Sequence, residues 1–415
     1  MTDISSELAS KIVDQLQRGT CPLEGVVALN VGREDWFKHA AEILRDIEVA
    51  SGSTVRFIRG DNGEGKTHFI AMVRALAIQR NWVTTYVCLS DEIRLDRFHE
   101  VYGAMVRNCM TNALVQENAG MLDPGQIDGW RWILDDWISR QRRLHSTDLD
   151  FGKSATLALR EKIVGSLSQH LKLANPVGDF AAAVRTYVEA ALDQNTDLRT
   201  GILRWFKGEP LKFRPNGVLQ PINKNNSKQI LRSLVAFIRA IGYGGLAIFV
   251  DEIESVIHYP GERRRSQAYQ NLRELLDNVD GTNGMQGACF YCAAVPQVFD
   301  GATGFREYEP LRERVFQADH ALLEDLAGMA LGPDYRAVVI DLAKAPLTPA
   351  DYESLARKIR LIHSRAFNWP AETRVPDDVL QGVVERALAR YGSQQGLVRT
   401  ICETVVAILN RMKSR

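Results

Sequence analysis

The sequence has no excess of charge of either sign: 51 Lys and Arg stand against 51 Asp and Glu over 415 residues. That balance excludes a globally polycationic nucleic-acid binder, so any phosphate contact must come from a local patch. Long apolar runs are missing too. The longest, such as Leu246-Ala247-Ile248-Phe249-Val250, fall far short of the ~20 residues that cross a bilayer. Residues 1–15 lack the basic start and apolar middle of a signal peptide. A cytoplasmic protein with no membrane partner is expected. Cysteine is sparse: Cys21, Cys88, Cys109, Cys289, Cys292 and Cys402 are too scattered for a disulfide scaffold, and reduced thiols are expected. Cys289 and Cys292 form a CxxC, but within an apolar run over 288–295 whose strand geometry points them to opposite faces. No second Cys/His pair lies nearby, so the pair reads as buried strand rather than zinc ligands. Internal repeats, low-complexity tracts and long linkers are also absent.

What is present is an ordinary globular composition, 45% hydrophobic and 25% charged, on a chain long enough for two or three domains. Within it, Gly60-Asp61-Asn62-Gly63-Glu64-Gly65-Lys66-Thr67 completes the phosphate-loop pattern GxxxxGK(S/T). An apolar strand over 55–58 precedes it and a helical run from His68 follows. That order gives the match its specificity. Such a loop points successive backbone N–H groups at a β-phosphate, and the next helix adds its partial positive charge. Lys66 then reaches the β- and γ-phosphates, and the Thr67 hydroxyl ligates Mg²⁺. ATP and Mg²⁺ are the expected cofactors, with residues 60–68 as the binding segment.

Strands alternating with helices predict an α/β fold with a five-stranded parallel sheet. The strands are expected over 55–58, 83–89, 246–250, 288–294 and 337–342, with helices over 6–18, 35–50 and from 68 to about Arg80. Between Leu89 and Leu246 lie about 155 residues, far more than one crossover needs. Helical periodicity over 101–115, 130–140 and 180–192 predicts a large helical insertion there, between the second strand and the Walker B strand. Helices over 351–366, 377–390 and 397–412 predict a C-terminal helical lid. The expected divisions are an N-terminal helical segment over 1–50, a core over 51–90 and 246–346, the insertion over 91–245 and the lid over 347–415.

The strand over 246–250 ends in Asp251-Glu252. In a nucleotide-hydrolysis site the Asp holds Mg²⁺ or its water shell and the Glu polarises the attacking water. The expected sheet order places this strand beyond the Cys289 strand relative to the phosphate-loop strand. Leu311-Arg312-Glu313-Arg314-Val315-Phe316 falls between the fourth and fifth strands, where oligomeric ATPases keep a finger for a neighbour's γ-phosphate. Arg314 is the first candidate and Arg312 the second, which implies a homo-oligomer; an intrachain-paired surface Arg is the plain reading of either. Arg399, one turn into the last predicted helix, occupies a position from which a lid senses the γ-phosphate.

From 198 to 240 there are nine basic residues, Arg199, Arg204, Lys207, Lys212, Arg214, Lys224, Lys228, Arg232 and Arg239, against the single acid Glu209. Trp205, Phe206 and Phe213 interleave with them. DNA binding by phosphate neutralisation and base stacking is chemically possible here, with Arg204, Lys207, Lys212, Arg214, Lys224 and Lys228 as candidates. The same pattern also suits a solvated helix face with its aromatic residues in the core. Arg263-Arg264-Arg265 is a second basic candidate, equally able to contact a neighbouring subunit.

Taken together, several segments resemble one bacterial family. They are Val31-Gly32-Arg33-Glu34, Gly65-Lys66-Thr67-His68-Phe69, Leu203-Arg204-Trp205-Phe206-Lys207-Gly208-Glu209, and Gly242-Tyr243-Gly244-Gly245-Leu246 ahead of Asp251-Glu252-Ile253-Glu254. Tyr269, Leu272-Arg273-Glu274-Leu275 and Leu355-Ala356-Arg357-Lys358-Ile359 add to the likeness. The family is the ATP-binding proteins of BREX-type phage-defence islands, in particular the shorter BrxD-like members, and the resemblance covers most of residues 20–410. It implies an AAA+ P-loop ATPase and a role in defence against foreign DNA, beside a helicase-like partner. One departure stands out: the fourth strand runs into Ala293-Ala294-Val295-Pro296-Gln297, where relatives keep a polar γ-phosphate sensor, and offers only Gln297. The functional expectation is an oligomerising ATPase that couples ATP hydrolysis to DNA binding or to remodelling of a DNA-bound partner. The alternative is an ATP-dependent switch or scaffold with slow or no turnover.

Overall fold

The computed structural model describes residues 4–117, 128–146, 153–209, 219–280, 284–316, 325–329, 334–344, 346–392 and 396–414. Its centre is a parallel sheet of β1 (Thr54–Arg59), β2 (Val83–Cys88), β3 (Leu246–Asp251), β4 (Ala288–Ala294) and β5 (Val339–Asp341), hydrogen-bonded in the order β2-β3-β4-β1-β5. β4 thus lies between the phosphate-loop strand and the Asp251 strand, as expected. Every residue of β3 and β4 is buried, which is what a parallel strand covered on both faces requires, and it accounts for their unbroken apolar sequences. Cys289 and Cys292 are buried in β4 as free thiols. No group of three or more potential metal-ligating side chains occurs among the described residues.

Helices α1 (Ser6–Gln17) and α2 (Glu34–Ala50) precede β1, and α3 (Lys66–Gln79) links the phosphate loop to β2. Between β2 and β3 come α4 (Phe98–Arg107), α5 (Asn112–Glu117), α6 (Gly129–His145), α7 (Lys153–Ala174), α8 (Gly178–Leu192), α9 (Thr196–Phe206) and α10 (Ser227–Ala240). After β3 follow α11 (Glu262–Asp280), then α12 (Pro296–Asp300) and α13 (Glu309–Val315) beyond β4. The chain ends in α14 (Pro349–Phe367), α15 (Ala371–Arg374), α16 (Asp377–Tyr391) and α17 (Leu397–Lys413). No described helix is long and apolar enough to cross a membrane.

The helix expected over 101–115 is two helices, and the cause is the edge of the sheet. Met110 exchanges both backbone hydrogen bonds with Thr84 of β2, at 2.8 and 2.7 Å, and Asn108 Nδ2 donates to the Tyr86 carbonyl at 2.8 Å. Backbone committed to a strand edge cannot also serve a helical ladder.

The chain divides into two compact units. One comprises Met1–Ile43, Arg56–Leu76 and Tyr291–Arg415. In it α1 shares a core with the C-terminal helices: Ile12 and Val13 belong to one buried cluster with Leu355, Ile359, Ile401, Val405 and Leu409. Thr348 starts α14 with a capping box to Asp351 and Pro349 in its first turn, so the sequence there both nucleates the helix and fixes where it begins. The other unit comprises Leu44–Val55 and Ala77–Phe290. Its helical part is built on aromatic packing, Trp130 meeting Phe206 at 5.5 Å and Phe180 meeting Phe206 at 5.5 Å between ring centroids. Ahead of β3, a methyl added at Gly245 would lie 2.3 Å from the Gly287 carbonyl, so the glycine permits a close approach of two backbone segments.

Candidate nucleotide site

β1 delivers the chain to Gly60, whose N–H donates to the Ala294 carbonyl at the end of β4 at 3.3 Å. The loop then folds on itself. Glu64 Oε2 accepts the Asp61 N–H at 2.7 Å, and the Glu64 N–H donates to the Asp61 carbonyl at 3.2 Å. Gly63 and Gly65 have φ of 84° and 94°, a region that side-chain-bearing residues rarely enter. Gly63 is doubly constrained, because an added methyl would come within 2.4 Å of the Gly396 Cα at the start of α17. Asn62 is exposed at the loop's turn.

α3 begins at Lys66, which is only 8% exposed, and its ammonium donates to the carbonyls of Gly60 at 3.0 Å and Asp61 at 3.4 Å. Thr67 is exposed. His68 is half-buried with Nδ1 3.8 Å from Cys21 Sγ. Burial, then the charges of Arg33 and Lys358, lower its pKa to about 4. A backbone loop rich in positive φ, opening a fourteen-residue helix, is the arrangement that binds phosphate. The residues present therefore fit a nucleotide polyphosphate.

Arg33 is a participant that the sequence motif does not announce. It is 7% exposed, donates through Nη2 to the Glu64 carbonyl at 3.0 Å, and its Nε is buried without a hydrogen-bond partner. Burial lowers its pKa, opposed by Tyr352, Glu64 and Asp351. Its position in Val31-Gly32-Arg33-Glu34 was the available signal; its hold on the loop backbone was not.

In the other unit, β3 ends at Asp251, 3% exposed. Asp251 Oδ2 accepts the Tyr86 hydroxyl at 3.0 Å, and Oδ1 accepts the Glu252 N–H at 3.0 Å. Glu252 is exposed and sits at φ 61° and ψ 39°, which turns the chain sharply from β3 into the 3₁₀ segment Ile253–His258. A non-glycine residue in that region costs roughly 1–3 kcal/mol, a strain characteristic of functional sites. The two carboxylates therefore differ in kind: Asp251 is buried and fixed, Glu252 exposed. Tyr86 has a raised pKa from burial and from Asp251, so its phenol remains a hydrogen-bond donor.

The remaining candidates are more loosely placed. On the short helix α13, Arg312 is exposed and pairs with Glu309 at 3.6 Å, while Arg314 Nη1 donates to the Pro310 carbonyl at 2.8 Å. Arg399 lies in the first turn of α17, the helix whose N-cap Gly396 approaches Gly63, and pairs with Glu403 at 2.9 Å. Gln297 is exposed at the start of α12.

Four cations of the basic segment are held in ion pairs, and Arg239 donates to the Glu48 carbonyl at 3.3 Å. Arg204 Nε donates to Glu209 at 2.9 Å, Lys207 lies 2.7 Å from Asp128, and Lys228 pairs with Glu274 and donates to Asn271 at 2.7 Å. Arg199 pairs with Asp135 at 2.6 Å, and Arg232 donates to Asn278 at 2.9 Å. Trp205 and Phe206 are 1% and 0% exposed, so they serve the core. Lys224 is exposed with no hydrogen bond or ion pair among the described residues. Lys212, Phe213 and Arg214 lie outside the described residues. Of the second basic run, Arg265 donates to the Tyr259 carbonyl at 3.1 Å, whereas Arg263 and Arg264 are exposed at the start of α11 with no such partner among the described residues.

No curated protein and no solved structure matches the chain. A family model described as BREX system ATP-binding protein BrxC/D matches residues 4–415, and the chain belongs to that family of nucleotide-binding proteins.

Proposed function

We propose that the chain is an AAA+ ATPase of phage defence that works as an oligomer and couples ATP binding and hydrolysis to DNA binding or to remodelling of a DNA-bound partner. The observation that carries the hydrolytic part is the contrast between the two acids, Asp251 buried and hydrogen-bonded by Tyr86 and the Glu252 N–H, and Glu252 exposed on a strained turn. In this reading Lys66 and the loop over 60–68, with the N-terminus of α3, hold the phosphates. Thr67 and Asp251 offer the hard oxygen donors that suit Mg²⁺, which when bound would neutralise phosphate charge. Glu252 polarises the attacking water. Arg314 or Arg312 reaches a neighbour's γ-phosphate, and Arg399 senses it from a C-terminal lid over 347–415. The core spans 51–90 and 246–346, with a helical insertion over 91–245. The cytoplasm, where phage DNA would be met, is the proposed compartment, and a helicase-like defence protein is the proposed partner.

A switch or scaffold with slow turnover is the second reading, favoured by β4 ending in Ala294 with only Gln297 beyond it as a polar sensor. Phosphate release, measured with and without duplex DNA over a range of protein concentrations, tests the first reading. Turnover that rises with both supports it; nucleotide binding without turnover under any of these conditions selects the second.

A further inference from the structure

A carboxylate that holds a metal must be aimed as well as charged, because the terminal torsion of an Asp side chain is broad and roughly two-fold. Asp251 is aimed from both sides. The Glu252 N–H fixes Oδ1 at 3.0 Å and the Tyr86 hydroxyl fixes Oδ2 at 3.0 Å. Neither of these two donors carries a charge, so neither acts as a counter-ion to the carboxylate.

Tyr86 is itself held on both edges of its strand. On one side β2 pairs with β3 in register, Tyr86 opposite Phe249 and Cys88 opposite Asp251. On the other, Asn108 Nδ2 donates to the Tyr86 carbonyl at 2.8 Å, next to the Thr84–Met110 bridge. The phenol therefore stands on backbone that is hydrogen-bonded along both edges of its strand.

Resting on the reading of Asp251 as a metal-binding residue, we propose that Tyr86 is a positioning residue that sets the carboxylate plane of Asp251 for Mg²⁺. It touches neither nucleotide nor water in this role and acts only through Asp251. Such supporting hydrogen bonds commonly change metal affinity by roughly ten-fold or more when removed.

The test is the Mg²⁺ dependence of nucleotide binding, read by titrating a fluorescent ATP analogue at a series of free Mg²⁺ concentrations. In Tyr86→Phe the half-saturating Mg²⁺ should rise about ten-fold, while affinity in EDTA, which reports an intact phosphate loop, stays at the wild-type value. A merely structural tyrosine would change both or neither. An unshifted curve, or one shifted to lower Mg²⁺, overturns the proposal. Should Tyr86→Phe fail to fold, Asn108→Ala loosens the Tyr86 backbone without touching the phenol and must shift the curve the same way; no shift there overturns it equally. A wild-type protein whose nucleotide affinity ignores Mg²⁺ would instead remove the metal role of Asp251 itself, and the role of Tyr86 with it.

Discussion

Lys66 and Lys207 are both held in place, but by different chemistry. The Lys66 ammonium donates to two neutral carbonyls, those of Gly60 and Asp61. The Lys207 ammonium lies 2.7 Å from the Asp128 carboxylate, with both side chains about one-fifth exposed. A neutral oxygen can yield to a phosphate oxygen at a net electrostatic gain, because charged hydrogen bonds are roughly twice as strong as neutral ones. A carboxylate surrenders its cation only by leaving itself unpaired. Cations of the first kind are available to a ligand; those of the second are already committed. The same difference recurs nearby: around the phosphate loop Arg33, Lys66 and Lys358 all donate to backbone carbonyls, whereas in the basic segment Arg199, Arg204, Lys207 and Lys228 meet acids, although Arg232 and Arg239 there donate to the neutral Asn278 side chain and Glu48 carbonyl.

The largest expected effect is on turnover, and it separates Glu252 from Lys66. Glu252→Gln should lower steady-state phosphate release by roughly 10²–10⁴-fold, the range for loss of a general base, while ATP affinity stays close to wild type. Wild-type turnover in that variant would remove Glu252 from catalysis. Next in size is Lys66→Ala, which should weaken ATP binding about 100-fold or more, near 3 kcal/mol. Nucleotide titration checks it. Retained affinity would mean that the carbonyl-held lysine is no more available than Lys207, and the comparison would collapse.

What could be read from residues alone follows the same division. The phosphate loop was legible because its chemistry is a backbone requirement: glycine where φ is positive, lysine opening a helix, an apolar strand before it. The strand order was legible because β3 and β4 are buried throughout and the Asp251 strand has a single conventional place. The basic segment was not, since counting charges says nothing about Asp128, Asp135 or Glu274, which lie far away in sequence and join these cations only on folding. Tyr86 was hidden for the same reason. Its hydrogen bond to Asp251 spans 165 positions and depends on strand register, and the split of the helix over 101–115 likewise depends on the pairing of Met110 with Thr84.

His68 offers a smaller test, because it is buried beside the loop and also feels the charges of Arg33 and Lys358. Burial, Arg33 and Lys358 lower its pKa from 6.5 to about 4. Between those values the unfolded chain binds a proton that the folded one does not, so stability rises with pH across the window and is level above it. The loss on acidification should reach roughly 3 kcal/mol at most. Denaturant unfolding from pH 7 to pH 4 should therefore show a shallower decline in His68→Gln than in wild type. Parallel declines would mean that neither its burial nor the nearby cations hold His68 neutral in the folded protein.

The smallest effects concern DNA, and they ask whether availability predicts contact. If the protein binds duplex DNA through cations with no acid to release, Arg263, Arg264 and Lys224 should carry the salt dependence rather than Arg204, Lys207 or Lys228. Each phosphate contact contributes roughly 0.9 to the slope of log affinity against log salt. Arg263→Ala with Arg264→Ala should then flatten that slope by about two, and Lys224→Ala by about one. Lys207→Ala should leave the slope alone and lower folding stability by about 2 kcal/mol, because Asp128 loses a charged partner. Affinity measured at four or more salt concentrations, with ATP binding as the control for folding, separates the two groups. A slope that falls in Lys207→Ala and not in the Arg263 and Arg264 variant would show that DNA draws the committed lysine out of its ion pair. The basic segment would then be the nucleic-acid face despite its acids, and a cation's partner in the free protein would no longer predict what it gives to a ligand.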